Sequence, residues 1–321
     1  MIIVGAFNGD NSLAAVGSNT ALIYLLVNLF SGIAVGANVC ASKYFGARDD
    51  VSLQKTVHTT ICLGLLTGII ITLAGLVFSE HILILMNTPT EILELSTTYL
   101  TIYFLGITAT MVHGFGGALL RALGDTKKPM QFLIISGILN ILLNLFFVAV
   151  CDMNVIGVSL STVISQYLSA VLTLRYLSER TDGLKLIFSK IRLHKTYATE
   201  ILQVGLPSGV QGVALSIANV YMQSAINTFG EIFVTANSIS ANIEGFISSI
   251  LFAFNQTTIS VVSQNFGAKK FDRIYRSIKI NQLLVLGTGI SLSIVVYLFG
   301  EVFLSIYSTN AYTIELAILL F

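Results

Sequence analysis

A single carboxylate, that of Glu244, lies well inside a long apolar stretch that runs from Val234 to Gln264. A charged side chain at the centre of a bilayer costs about 2.5–3.5 kcal/mol on insertion scales, so such a group is usually kept for a function. Ser240, Ser248 and Asn255 lie near the same helical face as this carboxylate. The pattern predicts a site that binds a cation or a proton and pairs with a cationic compound. The structural alternatives are an acid that hydrogen-bonds between helices and an acid that snorkels to the membrane surface.

Asn140 and Asn144 form a second candidate site. The two amides are four residues apart, and therefore on one face of a helix. Their side-chain oxygens could coordinate Na⁺ or hydrogen-bond a substrate, and amide pairing between helices is the structural alternative. Weaker candidates for a polar cavity, for which interhelical packing is the favoured interpretation, are Gln211, Asn219, Gln223 and Gln256.

The composition places these side chains in a membrane protein. The chain has 321 residues, of which 55% are apolar and only 10% are charged, whereas soluble globular proteins carry about 25% charged residues. The sequence contains no nucleophile–base pair, no metal-ligand cluster and no nucleotide-binding motif. We therefore predict that the protein is not an enzyme, needs no cofactor and draws its energy from an ion gradient.

Eight apolar runs are long enough to cross a bilayer, which takes about 20 residues. They are Ser12–Tyr44, Thr56–Phe78, Leu95–Leu120, Met130–Val150, Ile156–Leu177, Ile201–Phe229, Val234–Gln264 and Ile278–Phe299. The two apolar ends, Met1–Phe7 and Ile314–Phe321, are interpreted as parts of two more helices. This predicts an all-α polytopic protein with ten segments, numbered one to ten. Pro207 is expected near the start of segment seven, where a helix tolerates proline.

All 17 lysine and arginine residues lie in, or within three residues of, the connections after segments two, four, six and eight. Among charged residues, the opposite connections carry only acids. The positive-inside rule therefore predicts that the basic connections are cytoplasmic and that the protein lies in the inner (plasma) membrane. The stretch Leu184–His194, between segments six and seven, is basic and amphipathic, and we expect a helix that lies on the cytoplasmic leaflet.

An internal repeat occurs at an offset of 221 residues, where Phe45-Gly46-Ala47-Arg48 matches Phe266-Gly267-Ala268-Lys269. The same offset matches Thr67-Gly68-Ile69 to Thr288-Gly289-Ile290. Because both copies keep their basic connection on the same side, the repeat holds an even number of segments, and counting gives six. This predicts two six-helix lobes related by a parallel pseudo-twofold axis along the membrane normal.

The repeat also predicts the domain organisation. Residues 1–200 would form the N-terminal lobe, with a truncated first helix and the cytoplasmic linker. Residues 201–321 would form a C-terminal lobe that is truncated after the start of its fourth helix. We expect the complete protein to have twelve spans and this chain to be a fragment of it.

Several short motifs follow one another along the chain. The most specific is Arg121-Ala122-Leu123-Gly124-Asp125-Thr126-Lys127-Lys128-Pro129, followed by Leu139-Asn140-Ile141. Gly157-Val158-Ser159, Gly205-Leu206-Pro207 and Gln264-Asn265-Phe266-Gly267-Ala268-Lys269 come later. In this order they resemble the MATE (multidrug and toxic compound extrusion) transporters. The resemblance implies two lobes around a V-shaped cavity, and Na⁺- or H⁺-coupled efflux of amphipathic, often cationic compounds.

The chain departs from the family pattern at its carboxylates. Segment five has Asn144 where the family often has Asp, and segment seven has Val213-Ala214-Leu215-Ser216 where several branches have Glu. The acid that usually precedes the Val4-Gly5 pair falls in a part of segment one that this sequence does not include. Coupling is therefore expected to depend on Glu244, whose repeat partner is Ile23.

These observations predict a monomeric antiporter that exports amphipathic or cationic drugs or metabolites. The exchanged Na⁺ or H⁺ would bind at Glu244 or at the Asn140 and Asn144 pair. The bilayer and the small organic substrate are the expected partners, and nucleic acid is not. Two alternatives stay open. A lipid-linked oligosaccharide flippase of the same superfamily would need a cationic cavity, yet no Lys or Arg lies deep in a segment. The chain could also be a non-transporting fragment.

Overall fold

The computed structural model describes residues 12, 14–86, 88–229, 231–305 and 316–318. Within these residues, eight long helices follow one another and correspond to predicted segments two to nine. They are α1 (Thr20–Gly46), α2 (Asp50–Leu85), α3 (Thr90–Ala122), α4 (Lys127–Asn144), α5 (Asn154–Glu179), α6 (Lys195–Asn227), α7 (Glu231–Gly267) and α8 (Phe271–Ser305). A π-helical turn, Leu145–Val150, extends α4.

Each of these eight helices contains a span long and apolar enough to cross a membrane. The prediction of an all-α, multi-span protein is therefore confirmed. Most of the helices extend beyond the predicted segments, and polar residues lie at their ends. At the start of α2, for example, the Asp49 carboxylate accepts a hydrogen bond from the Ser52 backbone N–H at 3.0 Å, as a helix N-cap does. Predicted segment one, and segment ten apart from residues 316–318, lie outside the described residues.

The chain divides into two compact units, Met1–Gly212 and Val213–Phe321, and the division falls within α6. In the first unit, α3 is the central helix and packs against α1, α2 and α5, while α4 packs on α5. Leu100, Ile107 and Phe115 of α3 are almost completely buried there. The predicted lobes, 1–200 and 201–321, stay a prediction.

The inner part of α6 packs directly on α1. A Cβ atom on Gly205 would lie 2.6 Å from the Cα atom of Ile33, so the two backbones are in contact there. Towards the basic end, Glu200 bonds to both Lys43 and the Tyr44 hydroxyl group. Because Glu200 precedes the apolar run Ile201–Phe229, α6 can make this contact only by beginning before that run, and it begins at Lys195.

The expected position of Pro207 in its helix is therefore wrong. Because α6 begins at Lys195, the proline lies twelve residues inside the helix. A proline at such a position cannot donate the usual backbone hydrogen bond to the carbonyl group four residues earlier.

The connection between α5 and α6 differs from its prediction. Leu184–His194 is not an amphipathic helix but an extended strap with one 3-10 turn, Phe188–Lys190. Leu184 and Leu186 alternate along the strap, are 0% and 1% exposed, and pack among α2, α3 and α5. This period of two is that of an extended chain. The segment therefore buries these two leucines in the first unit as an extended chain and does not form the predicted helix.

Two turns have the same geometry at the repeat offset. Arg48 and Lys269 have positive φ angles of 57° and 56°. Each turn closes with a backbone hydrogen bond three residues back, Arg48 N–H to the Phe45 carbonyl group and Lys269 N–H to the Phe266 carbonyl group, both at 3.0 Å. The matched motifs of the sequence are therefore matched turns in the structure.

A second pair of matched contacts involves side chains. The Asn19 amide donates to the carbonyl oxygens of Ala15 at 2.8 Å and of Ser96 at 3.3 Å. At positions 221 residues later, the Ser240 hydroxyl lies 3.0 Å from the Ala236 carbonyl oxygen and 2.9 Å from that of Ala317. In both units, one polar side chain joins the start of a long helix to a later segment. This correspondence supports the internal repeat.

Candidate functional site

Glu244 lies on α7, thirteen residues after the first residue of the helix, Glu231. At a rise of 1.5 Å per residue this is about 20 Å along the helix axis, and Glu244 falls inside the span Ile239–Gly267. Its side chain is exposed in the structure. Among the described residues, its carboxylate has neither a hydrogen-bond partner nor an ion-pair partner.

Two of the three residues expected near Glu244 share its environment. Ser248 and Asn255 are both exposed on α7, one turn and three turns further along the same helical face. Together these side chains offer a carboxylate, a hydroxyl and an amide in a row. Such a row can bind a cation or a protonated amine, and the neutral groups can accept or donate hydrogen bonds beside it.

Ser240 does not belong to this row, so the expectation that it shares the site is wrong. It is only 5% exposed, and its hydroxyl is engaged with the Ala236 and Ala317 carbonyl oxygens. The physical reason is packing, because α7 meets residues 316–318 at this turn. Ser240 therefore joins α7 to residues 316–318 by a hydrogen bond within the second unit.

The second candidate site, on α4, is an amide pair that reaches α5. The Asn144 amide donates to the backbone carbonyl oxygen of Asn140 at 2.9 Å and to its side-chain oxygen at 3.1 Å. The Asn140 amide in turn lies 3.4 Å from the Thr162 hydroxyl oxygen on α5. The π-helical turn begins directly after Asn144, and such turns are frequent at functional sites.

This arrangement leaves side-chain oxygens with lone pairs that can coordinate a cation. The side-chain oxygen of Asn144 accepts no hydrogen bond from any described residue, although the residue is only 8% exposed. The oxygens of Asn140 and Thr162 each have a second lone pair. Three neutral oxygens can coordinate an alkali cation, but they do not neutralise its charge. In the part of the chain that the structure describes, no three His, Cys, Asp or Glu residues come together as a metal site.

Thr162 was not among the residues that the sequence analysis chose. The Thr162 hydroxyl also donates to the Val158 carbonyl oxygen, one helical turn earlier, at 2.9 Å. Its distance from Asn140 depends on how α4 packs against α5. That packing is not local information.

The weaker candidates lie on α6 and α7. Gln211, in the first unit, and Asn219, in the second, are exposed on α6, and Gln256 on α7 is partly buried. Gln223 accepts a hydrogen bond from the Asn237 amide at 3.1 Å, which fits the interhelical role that the sequence favoured. Gln211, Asn219 and Gln256 stay predictions as cavity residues.

The second unit also has an open apolar groove of about 580 Å³ between α7 and α8. Its lining includes Gly289 and Ser293 of α8. Their repeat partners on α2, Gly68 and Thr72, are covered by α3: the Thr72 hydroxyl donates to the Phe104 carbonyl oxygen at 2.8 Å. The groove is therefore a helix-packing face, and we do not assign it to the substrate.

The family model that matches the chain is MatE, over residues 1–146 and 207–320. Similar proteins are named multidrug resistance or multidrug export proteins. The chain is 26% identical to the probable multidrug resistance protein YoeA of Bacillus subtilis, over 99% of this chain and 70% of that protein. It is 27% identical to YpnP of the same organism, over 84% of this chain and 60% of that protein. The multidrug export protein MepA of Staphylococcus saprophyticus is 22% identical over 98% of this chain.

Solved structures show the same fold. A MATE protein crystallised in a bent conformation has a TM-score of 0.89 and 21% identity, covering 99% of this chain and 70% of that one. A multidrug resistance MATE family transporter in an outward-facing conformation also has a TM-score of 0.89. The chain thus spans 60% to 70% of the length of YpnP, YoeA and the bent MATE structure. With residues 1–146 and 207–320 matched by the family model, the chain belongs to the MatE family of multidrug efflux transporters, and its family is one of transporters rather than enzymes.

Proposed function

We propose that this protein is a secondary active exporter that releases amphipathic or cationic drugs or metabolites in exchange for Na⁺ or H⁺. The observation that carries the proposal is Glu244, a carboxylate within a membrane span that has no partner among the described residues. An acid in such a place is costly unless a cation, a proton or a charged substrate meets it. In a transporter, exchange of an ion for a charged substrate at such a carboxylate can couple the ion gradient to export.

The names of similar proteins support the substrate class. YoeA is described as a probable multidrug resistance protein and MepA as a multidrug export protein. Because this chain spans about 60% to 70% of such proteins, the activity is proposed for the protein with its complete set of spans.

We further propose that the helices form two six-helix lobes related by a parallel pseudo-twofold axis, with lobe boundaries at residues 1–200 and 201–321. Two pairs of matched features support this repeat. They are the turns at Arg48 and Lys269 and the side-chain hydrogen bonds of Asn19 and Ser240. The connections after α1, α3, α5 and α7 carry the basic residues and would face the cytoplasm, with the protein as a monomer in the plasma membrane.

In the proposed cycle the lobes alternate between two orientations. The Glu244 carboxylate holds a proton or Na⁺ in one orientation and a cationic substrate in the other, because the two charges compete for one anion. Ser248 and Asn255 would supply hydrogen bonds beside it. The oxygens of Asn140, Asn144 and Thr162 would hold Na⁺ weakly, or hydrogen-bond the substrate, without a carboxylate of their own.

The flippase alternative is less well supported. An anionic, lipid-linked sugar would need cationic side chains within the membrane, and in the described spans every Lys and Arg lies near a helix end. The exposed carboxylate of Glu244 would repel such a substrate. These charges favour a cationic one.

The function can be tested with the protein reconstituted in liposomes loaded with a fluorescent lipophilic cation. A Na⁺ gradient and a proton gradient are imposed separately, each with and without the ionophore that collapses it. The proposal expects one gradient to accelerate efflux and its ionophore to abolish that acceleration. Efflux that equals that of protein-free liposomes under both gradients would refute it.

A further inference from the structure

The strap between α5 and α6, Leu184–His194, and Lys195 at the start of α6 carry exposed apolar and basic side chains together. Phe188 is 58% exposed and Leu193 is 49% exposed. Beside them stand four exposed cationic residues, Lys185, Lys190, Arg192 and Lys195. No acidic residue occurs between Asp182 and Glu200.

The strap is held in a fixed place rather than hanging freely. Its Leu186 N–H donates to the Leu177 carbonyl oxygen at 2.9 Å, and its Ile187 N–H donates to Nε2 of His58 at 3.1 Å. At its far end the His194 N–H lies 3.3 Å from the Thr59 hydroxyl oxygen. Both ends are therefore attached to one turn of α2, and the 3-10 turn between them projects outward.

The attachment point gives the depth of the strap. With 36 residues, α2 is about 54 Å long, whereas the hydrocarbon core of a bilayer is about 30 Å thick. A centred α2 therefore extends beyond the core by about 12 Å at each end. His58 lies eight residues after Asp50, about 12 Å along the helix. The strap thus attaches where the hydrocarbon core ends and the headgroups begin.

The charges at this level are not neutralised by the protein. Lys185, Lys190 and Lys195 form no ion pair with any residue that the structure describes, and Arg192 donates to the neutral imidazole of His194 at 2.9 Å. Exposed Phe and Leu side chains beside free cations, at headgroup depth, match the chemistry of an anionic membrane surface. A soluble acidic partner would satisfy the cations but would leave no reason for the exposed phenyl ring.

We propose that residues 184–195 bind anionic phospholipids of the leaflet on the basic side. Phe188 and Leu193 insert at the boundary between headgroups and acyl chains, and Lys185, Lys190 and Lys195 contact the lipid phosphates. The inference is independent of the coupling ion and of Glu244. The predicted surface helix would also have contacted lipid, but through a different set of side chains.

The chain contains no tryptophan, which makes a direct test available. Phe188→Trp and Leu193→Trp each introduce a single reporter in the full chain, placed in nanodiscs of phosphatidylcholine with or without phosphatidylglycerol. Thr181→Trp, exposed in the same connection, is the water-facing control. Ile138→Trp, at a 55% exposed apolar position of α4, is the lipid-facing control. Brominated phosphatidylcholine serves as the quencher.

The proposal expects bromolipid to quench the reporters at 188 and 193 several-fold more than the reporter at 181, and nearly as much as that at 138. Phosphatidylglycerol should increase this quenching, and the triple change Lys185→Gln, Lys190→Gln and Lys195→Gln should remove the increase. Because these lysines are exposed, the apparent melting temperature should not change, which separates lost binding from lost folding.

Three results would overturn the proposal. Quenching at 188 and 193 no greater than at 181 would show that the strap faces water. Quenching that responds neither to phosphatidylglycerol nor to the lysine changes would show that no anionic lipid is recognised. The third result concerns the emission wavelength of Phe188→Trp. If inorganic phosphate in detergent shifts this emission to the blue as much as phosphatidylglycerol does in nanodiscs, the ligand is a soluble anion.

Discussion

Gly36 of α1 and Gly205 of α6 bring the backbones of two helices into contact. A Cβ atom on Gly36 would lie 2.8 Å from the backbone nitrogen of Gly205. Close helix crossings in membranes are built from small residues in this way, because packing replaces the hydrophobic effect as the driving force. The contact holds the first half of α6 in the first unit, while the units divide at Gly212.

Replacement of Gly205 by alanine should therefore destabilise the protein. The new methyl group would meet the Cα atom of Ile33 at 2.6 Å, and overpacking of this kind typically costs about 1–3 kcal/mol. The apparent melting temperature in detergent should fall. Gly137→Ala in α4 is the matched control, since nothing lies within 4 Å of its Cβ position. Equal melting temperatures for the two variants would contradict the close crossing.

The amide site on α4 should respond to an added carboxylate. Asn144→Asp replaces one of the three neutral oxygens with a carboxylate, so Na⁺ should bind more tightly. We expect the Na⁺ concentration that gives half of the thermal stabilisation to fall about tenfold, which corresponds to about 1.4 kcal/mol. The measurement is a melting-temperature titration with NaCl against choline chloride. Asn144→Leu, which removes the oxygen, should show no Na⁺ response, and a response in that variant would place the ion elsewhere.

Acidification should release the strap from α2. Burial, together with the nearby Arg192 and Lys55, lowers the pKa of His194 below its ordinary value. Its Nε2 atom accepts a hydrogen bond from Arg192 at 2.9 Å, so the docked imidazole is neutral. Because the folded state disfavours the protonated form, its contribution to stability is present above the ordinary pKa and is lost as the pH falls through the lowered one.

Hydrogen exchange of the backbone amides at residues 186–194 can measure this release. After correction for the intrinsic pH dependence of exchange, protection should decrease between about pH 8 and about pH 5. His194→Gln, which removes the imidazole, should weaken this loss of protection. Amides in the buried part of α3 serve as the internal reference. Unchanged protection of the strap over this range would contradict the prediction.

The helices could be predicted from the sequence because membrane spans are local in their cause. Each predicted run, such as Met130–Val150, is apolar over enough residues to cross a bilayer by itself. The matched turns at Arg48 and Lys269 were also visible, since their motifs are short and contiguous.

The strap and the environment of Ser240 could not be predicted in the same way. The basic, amphipathic stretch fits a surface helix, but Leu184 and Leu186 are buried in a cluster with Leu53 and Leu119, far away in the chain. Ser240 lies on the expected helical face, yet Ala317 occupies its hydrogen bond. Thr162 was missed for the same reason, because α4 brings Asn140 to it. Each of these features depends on tertiary packing.

The role of Glu244 is tested most directly by Glu244→Gln in reconstituted protein, with gradient-driven efflux of a lipophilic cation as the readout. Glu80→Gln changes an exposed acid near the end of α2 that lies away from the basic connections, and it is the matched control for loss of a carboxylate. The melting temperatures of both variants show whether they fold. If Glu244 couples the ion to the substrate, Glu244→Gln loses gradient-driven efflux while Glu80→Gln retains it. Efflux by Glu244→Gln at the unmodified protein's rate would contradict that role.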